Sequence, residues 1–237
     1  MHTWLKTVAA VILILLVAEL GIKAYDRWFA EGAQPDRTIY TDRGIDISHH
    51  NGDVDFNRVA SEEADVSFMY IKATEGTDYL DPHFVRNARG AISSGLPTGA
   101  YHFFRYDTDG ELQALNFMRA LRGRRFSLPP AIDVEDWGNP DGHATALIVE
   151  RLRAMTSALL AEGYKPIIYT NIQGYHRLIE GNFDTLPLWI SSFSDPPLET
   201  DPGNLRWTIW QYSHRGDVAG ISSPTDLNVL NPSNPLL

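Results

Sequence analysis

Residues 99–135 read GAYHFFRYDTDGELQALNFMRALRGRRFSLPPAIDVE. Two short β-rich runs, Gly99–Phe104 and Ala131–Glu135, flank a helical pattern over Glu111–Leu121. Strands joined through a helix lie parallel in one sheet, because a hairpin has no room for the crossover. The same alternation extends in both directions. Further candidate strands are Gly44–Ser48, Phe68–Thr74, Pro166–Thr170, Leu188–Ser192, Thr208–Tyr212 and Asp226–Leu230. Further candidate helices are His83–Ser94 and Thr145–Glu162, the latter with an apolar stripe of Leu147, Val149, Leu152, Met155, Leu159 and Leu160. After about Gly181 the spacers turn into Pro-, Gly- and Ser-rich loops. Early βα alternation with eight strands predicts an α/β fold, a parallel β/α barrel whose last third is irregular. An open doubly wound sheet is the competing layout.

The composition supports one folded domain. Of 237 residues, 43% are hydrophobic and 21% charged, which excludes a disordered or collagen-like chain. The net charge of -10 argues against a nucleic-acid partner held through phosphate neutralisation. Cysteine is absent, which excludes disulfides, thiolate metal sites, Fe–S clusters and cysteine nucleophiles.

Val8–Ala18 is an uninterrupted apolar run preceded by Lys6. Its length matches the core of a secretory signal rather than a full bilayer span of roughly 20 residues. Residues 1–23 therefore read as an uncleaved signal anchor or a cleaved signal peptide, with a buried helix as the third reading. Residues 24–42 read as a linker, 43–231 as the domain and 232–237 as a tail. The expected location is extracytoplasmic, anchored at the inner membrane or secreted to the periplasm or cell exterior.

Polar residues end the candidate strands, where β/α barrels build their active sites. They are Asp46, Glu75, His102, Asp133 with Glu135, Asn171, Gln211 and Asp226, with Tyr101, Tyr169, Trp189 and Trp210 beside them. Asp133 and Glu135 stand at i and i+2, so on a strand both point to one face with Cα atoms about 6.5–7 Å apart. Two carboxylates in a partly dry site cannot both ionise readily, and one becomes a general acid near neutral pH. Cleavage of a glycosidic bond needs such an acid and a nearby negative charge. The aromatic residues suit stacking on sugar rings. The plainer alternative makes Asp133 and Glu135 solvated residues at a strand end. Tyr101 and His102 face opposite ways if extended, so only one of them can line the mouth. Lys72 is either a core cation paired with an acid or a cleft residue. His49, His50 and His102 raise a metal-dependent deacetylase as an alternative, but neighbours on an extended segment diverge and chelate poorly. Arg122, Arg124 and Arg125 read as a solvated helix end.

Taken together, Gly44-Ile45-Asp46-Ile47-Ser48-His49-His50-Asn51-Gly52, Ile71-Lys72-Ala73-Thr74-Glu75-Gly76, Gly99-Ala100-Tyr101-His102-Phe103 and Asp133-Val134-Glu135 resemble glycoside hydrolase family 25, the lysozyme-like muramidases of the Chalaropsis and phage-lysin type. Tyr169-Thr170-Asn171, Leu188-Trp189-Ile190, Trp210-Gln211-Tyr212 and Asp226-Leu227-Asn228 extend the match in order. The resemblance implies an irregular TIM-like barrel with five βα units and three further strands. It implies hydrolysis of the β-1,4 bond between N-acetylmuramic acid and N-acetylglucosamine in peptidoglycan glycan strands, with no metal or organic cofactor. Glu135 matches the general acid/base, and Asp133 the carboxylate that steers the substrate N-acetyl group onto the anomeric carbon. Asp46 and Asp226 match the two further acids of the cleft, which makes these four the candidate catalytic set. Tyr101, His102, Glu75, Tyr169, Asn171, Trp189, Trp210 and Gln211 are the candidate substrate-binding set. A monomer is expected, with membrane contact through the N-terminal segment if it stays uncleaved. Two departures stand out: Asn51 where many members carry Gln, and Ser191 where Ala is common. No wall-binding repeat is expected after Leu230. A non-catalytic glycan-binding barrel is the alternative from another functional class.

Overall fold

The computed structural model of the protein describes residues 33–193 and 206–236, with single positions at 18 and 197. The apolar run expected to be a signal or anchor lies outside these residues apart from Ala18. Among the described residues, no helix is long and apolar enough to cross a membrane.

Eight strands close into a barrel in the order β1-β9-β8-β7-β6-β5-β4-β2, and β1 pairs back onto β2. The strands are β1 (Arg43–Ile47), β2 (Phe68–Glu75), β4 (Thr98–Phe103), β5 (Ala131–Asp133), β6 (Ile167–Asn171), β7 (Leu188–Ser191), β8 (Trp207–Gly216) and β9 (Thr225–Leu230). A short β3 (Tyr79–Leu80), unforeseen in the sequence, folds back antiparallel on the end of β2. Among the eight barrel strands, β1, β2 and β4 to β8 run parallel to one another, and β9 alone runs against both β8 and β1. The barrel is thus closed, and the open doubly wound sheet is excluded. Helix α1 (Phe56–Val59) follows β1, and α2 (Phe84–Ser94), α3 (Gly110–Leu121) and α4 (Thr145–Ala161) follow β2, β4 and β5. Helical turns over residues 172–179 follow β6.

Side-chain alternation along the strands creates two separate cores. Phe68, Tyr70, Ala131, Ile167, Trp189 and Ile209 fill the barrel interior. Ile45, Ile71, Ala100, Ile132, Ile168 and Ile190 face outward into the layer beneath the helices. Gly44 and Gly99 make the inner layer possible, since a Cβ there would sit 2.4 Å from the Phe68 ring and 2.3 Å from the Tyr70 ring. The apolar floor leaves only the upper, C-terminal end of the barrel for polar groups.

Three sequence expectations are corrected here. The buried stripe of α4 is Ile148, Leu152, Met155, Thr156 and Leu159, whereas Leu147 and Leu160 are exposed. The stripe follows i, i+4, i+7 and i+11 from Ile148, one residue out of phase with the expected start. Residues 33–42, read as linker, pack on the barrel: Ala33 N–H bonds Phe193 O at 2.8 Å, and the Tyr40 ring lies 6.0 Å from Trp207 and 6.1 Å from Trp210. They cover outward faces of the late strands. His49 and His50 do not diverge, because Ser48 caps a helical turn over His49–Asn51 and brings the rings within 3.9 Å.

Candidate active site

The C-terminal ends of the strands surround a cleft of about 470 Å³. Asp46, Asp133, Glu135 and Asp226 all line it, from β1, the end of β5 and β9. Register explains the convergence. Asp46 stands opposite Asp226 in the β1–β9 pair, and Asp133 opposite Phe103 and Tyr169. The segment stays extended beyond Asp133, since Val134 N–H bonds Tyr169 O at 2.9 Å. Val134 turns into the outer core while Asp133 and Glu135 face the cleft.

Asp46 is the best-held acid. Its Oδ2 accepts from Gln211 Nε2 at 2.9 Å and from Asn228 Nδ2 at 2.8 Å. Gln211 Oε1 accepts from the Tyr169 hydroxyl at 2.9 Å, and Asn228 Oδ1 accepts from Trp189 Nε1 at 2.8 Å. Asn228 is fully buried and ties the wall of the cleft to its acid, a role the sequence reading passed over. Asp226 stands beside Asp46, and burial raises both carboxyls, so the two titrate as one pair that retains a shared proton. Burial first, and then the Asp46 charge, pushes Asp226 up to about 9.

Burial also pushes Glu135 up to about 7, reinforced by the Asp46 charge and opposed by Lys72. Asp133 is raised well above the carboxylate range by burial and then by the Glu135 charge, with Lys72 again opposing. The two acids therefore titrate as a pair that holds a proton near neutral pH. The buried Oδ1 of Asp133 has no hydrogen-bond partner among the described residues. Lys72 lies in the cleft with Nζ 2.9 Å from Glu75 Oε2, so both readings of it hold: it is a paired cation and a cleft residue. Arg105 approaches the other Glu75 oxygen at 3.7 Å.

Tyr101, Glu75, Tyr169, Trp189 and Gln211 line the cleft. Burial raises the Tyr101 and Tyr169 hydroxyls well above their ordinary range, so both remain neutral donors. Trp189 is only 2% exposed and wedges between the Tyr70 and Tyr169 rings, at 4.8 and 5.1 Å, as wall rather than open platform.

Three candidates fall outside the cleft. His102 is buried under α3, with Nδ1 2.8 Å from Thr74 Oγ1 and Nε2 3.1 Å from Gln113 Oε1, and burial holds it down at about 4. Alternation gives the inward position to Tyr101. Trp210 is 1% exposed in the outer core, where its Nε1 donates to Ser192 O at 2.8 Å, because its neighbour Gln211 takes the inward position. Asn171 caps the following helical turn, its Oδ1 accepting from Gly174 N at 2.8 Å. Sequence reasoning also missed Ser48, Phe103, Trp137 and His214 as lining residues, whereas His50 lines the cleft as a loop residue beside it. Asn51 joins them and anchors the β8–β9 loop through Ser223 Oγ and Pro224 O, each at 3.2 Å. Among the described residues, no three His, Asp or Glu side chains are disposed to hold a metal ion.

Comparison with known proteins agrees with this build. The profile of Glycosyl hydrolases family 25 matches residues 45–221. The chain is 34% identical over 200 residues to YegX of Escherichia coli K12, covering 81% of this chain and 70% of that protein. It is 35% identical over 207 residues to lysozyme M1 of Streptomyces globisporus, covering 81% and 68%. A solved family 25 glycosyl hydrolase from Bacillus anthracis superposes with a TM-score of 0.77 at 31% identity, covering 88% of this chain and 99% of that one. A closed β/α barrel with acids gathered at its mouth is, in this setting, a glycoside hydrolase. The chain belongs to glycosyl hydrolases family 25.

Proposed function

We propose that the protein is a muramidase, cleaving the β-1,4 bond from N-acetylmuramic acid to N-acetylglucosamine in peptidoglycan. The convergence of four carboxylates, with Glu135 held near neutrality by burial, carries this reading. The names of relatives such as lysozyme M1 support the same substrate.

Glu135 gives its proton to the glycosidic oxygen as the bond to the anomeric carbon breaks. The substrate's own N-acetyl carbonyl oxygen closes on that carbon from the opposite face. Asp133 accepts the acetamido N–H through its unpaired Oδ1, which orients the group and supplies the hydrogen bond that favours the charged form of Asp133. Glu135, now a carboxylate, takes a proton from water as that water opens the cyclic intermediate. Configuration is retained. The Asp46–Asp226 pair holds the neighbouring wall of the cleft. The proposed setting is extracytoplasmic, with residues 1–23 as anchor or cleaved signal.

The test is incubation of the full chain with purified peptidoglycan, with and without EDTA, beside Glu135→Gln. New reducing ends on N-acetylmuramic acid, unaffected by EDTA and reduced at least about 100-fold in the variant, are expected. The active form needs Glu135 protonated, so the rate falls as pH rises through about 7. A folded wild-type chain that releases no such ends would overturn the reading.

A further inference from the structure

Trp137 is 79% exposed, more than any other large apolar side chain among the described residues. The other described tryptophans, Trp189, Trp207 and Trp210, are buried to 2% exposure or less. Its side chain lines the rim of the cleft and makes no hydrogen bond or ring contact among the described residues. An indole left in water forgoes the large stabilisation that burial of its surface brings.

The loop that presents it is firmly held. Asp136 pairs with Arg177, and Gly138 O accepts from Arg105. Asn139 Nδ2 donates to Phe104 O at 2.9 Å and Glu135 O at 2.8 Å, and its Oδ1 accepts from Tyr106 N at 2.7 Å. Gly138 turns the chain with φ +79°, and a Cβ there would lie 3.1 Å from the Phe103 ring. The backbone on both sides of Trp137 is thus fixed while its ring stays uncovered. That is the construction of a preorganised platform, which binds without first ordering a loop.

Direction along the segment says which sugar it meets. Exposure rises from Asp133 on the floor through Glu135 to Trp137 at the rim, which stands beyond the end of β5 in the turn over 136–139. On the muramidase reading, Asp133 faces the N-acetyl group of the sugar under attack and Glu135 the oxygen being cleaved. The next residue outward from Glu135, at the rim of the cleft, falls beside the sugar that departs.

We infer that Trp137 is the stacking platform for the departing N-acetylglucosamine, taking the C–H face of its pyranose ring. This rests on the muramidase reading. In a retaining enzyme the departing sugar's subsite is also where an acceptor sugar binds when it intercepts the intermediate in place of water. Loss of the platform therefore lowers transfer relative to hydrolysis.

The experiment uses the full chain, wild type and with Trp137→Ala or Trp137→Phe, on soluble peptidoglycan fragments with added N-acetylglucosamine oligomer as acceptor. Trp137→Ala is expected to raise KM about 2–10-fold and to lower the transfer-to-hydrolysis ratio by a similar factor, with Trp137→Phe recovering most of both. In the Glu135→Gln background, the same oligomer should change indole fluorescence, and Trp137→Phe should remove that change. A raised KM with an unchanged transfer ratio would place Trp137 on the other side of the cut and overturn the assignment. Unaltered kinetics in Trp137→Ala would overturn it as well. A wild-type chain with no hydrolysis refutes the muramidase reading itself, and this assignment falls with it.

Discussion

Asp226 combines a large electrostatic cost with a structural duty. Its carboxyl is raised to about 9 from an ordinary value near 3.8. The folded chain thus holds a proton that the unfolded chain releases. The stability tied to this proton is fully present below about pH 4 and is lost as pH rises through about 9. Asp226→Asn keeps the shape of the protonated acid and removes the titration. The expected result is a Tm at pH 8–9 higher than wild type by at least about 2–4 °C, with little change at pH 4, read by thermal scans across pH. A variant with an unchanged or lowered Tm at pH 9 contradicts the shared-proton arrangement. At this scale the sequence was informative wherever a strand's alternation could be phased. Asp46, Asp133 and Glu135 follow from it, whereas Trp210 and Gln211, adjacent on one strand, cannot both face the cleft, and the expectation that they do fails for Trp210. His102 and Asn171 were misplaced because polar character at a strand end was taken as exposure, while each side chain satisfies a neighbouring turn or helix instead. Trp137 was missed because a lone aromatic in a loop carries no periodic signal.

Helices α3 and α4 meet without a spacer at Gly110. A Cβ built there would lie 1.9 Å from the carbonyl oxygen of Arg151, a backbone atom that cannot rotate away. Gly110→Ala must force the two helices apart. It should lower stability by about 1–3 kcal/mol, seen as a lower urea midpoint with an unchanged m-value. An unshifted midpoint would mean that the helices pack less tightly than described. The helix spans themselves were readable from the sequence to within a residue or so, since Asp109 caps α3 by accepting from Leu112 N. What the pattern hid was the polar lining of α3. Gln113 and Asn116 are buried, and their amides bind Arg105 O, Gly76 O and Tyr79 O, the loops that carry the rim of the cleft. Composition marks both as surface residues, and only the location of the loops beneath them explains their burial. The hairpin strand β3 was equally hidden, because two residues are too short for a period.

As a whole the molecule is acidic, with a formal net charge of -10, and its proposed substrate carries carboxylates of its own. Like charges slow their encounter over distances that salt screens. Hydrolysis of intact peptidoglycan should therefore rise about 2–3-fold between 10 and 100 mM salt. A steady fall over that range would point to attraction instead, with the exposed arginines Arg89, midway along α2, and Arg122 and Arg125, just past the end of α3, as the first surface to vary. Whole-molecule topology was the most legible level. The βα rhythm predicts a parallel barrel, and among the eight barrel strands the antiparallel return of β9 escapes it, because strand direction leaves no mark on side-chain alternation. That last strand has a consequence in time. Asn228 on β9 binds Asp46 on β1 across 182 residues of sequence. The cleft has no complete wall until both ends of the domain have met, and contacts of such span form late. A chain still emerging from the ribosome, arrested before Thr225, carries Glu135 but lacks the wall that completes its cleft. Hydrolytic power arrives with the strand that closes the barrel, in one step.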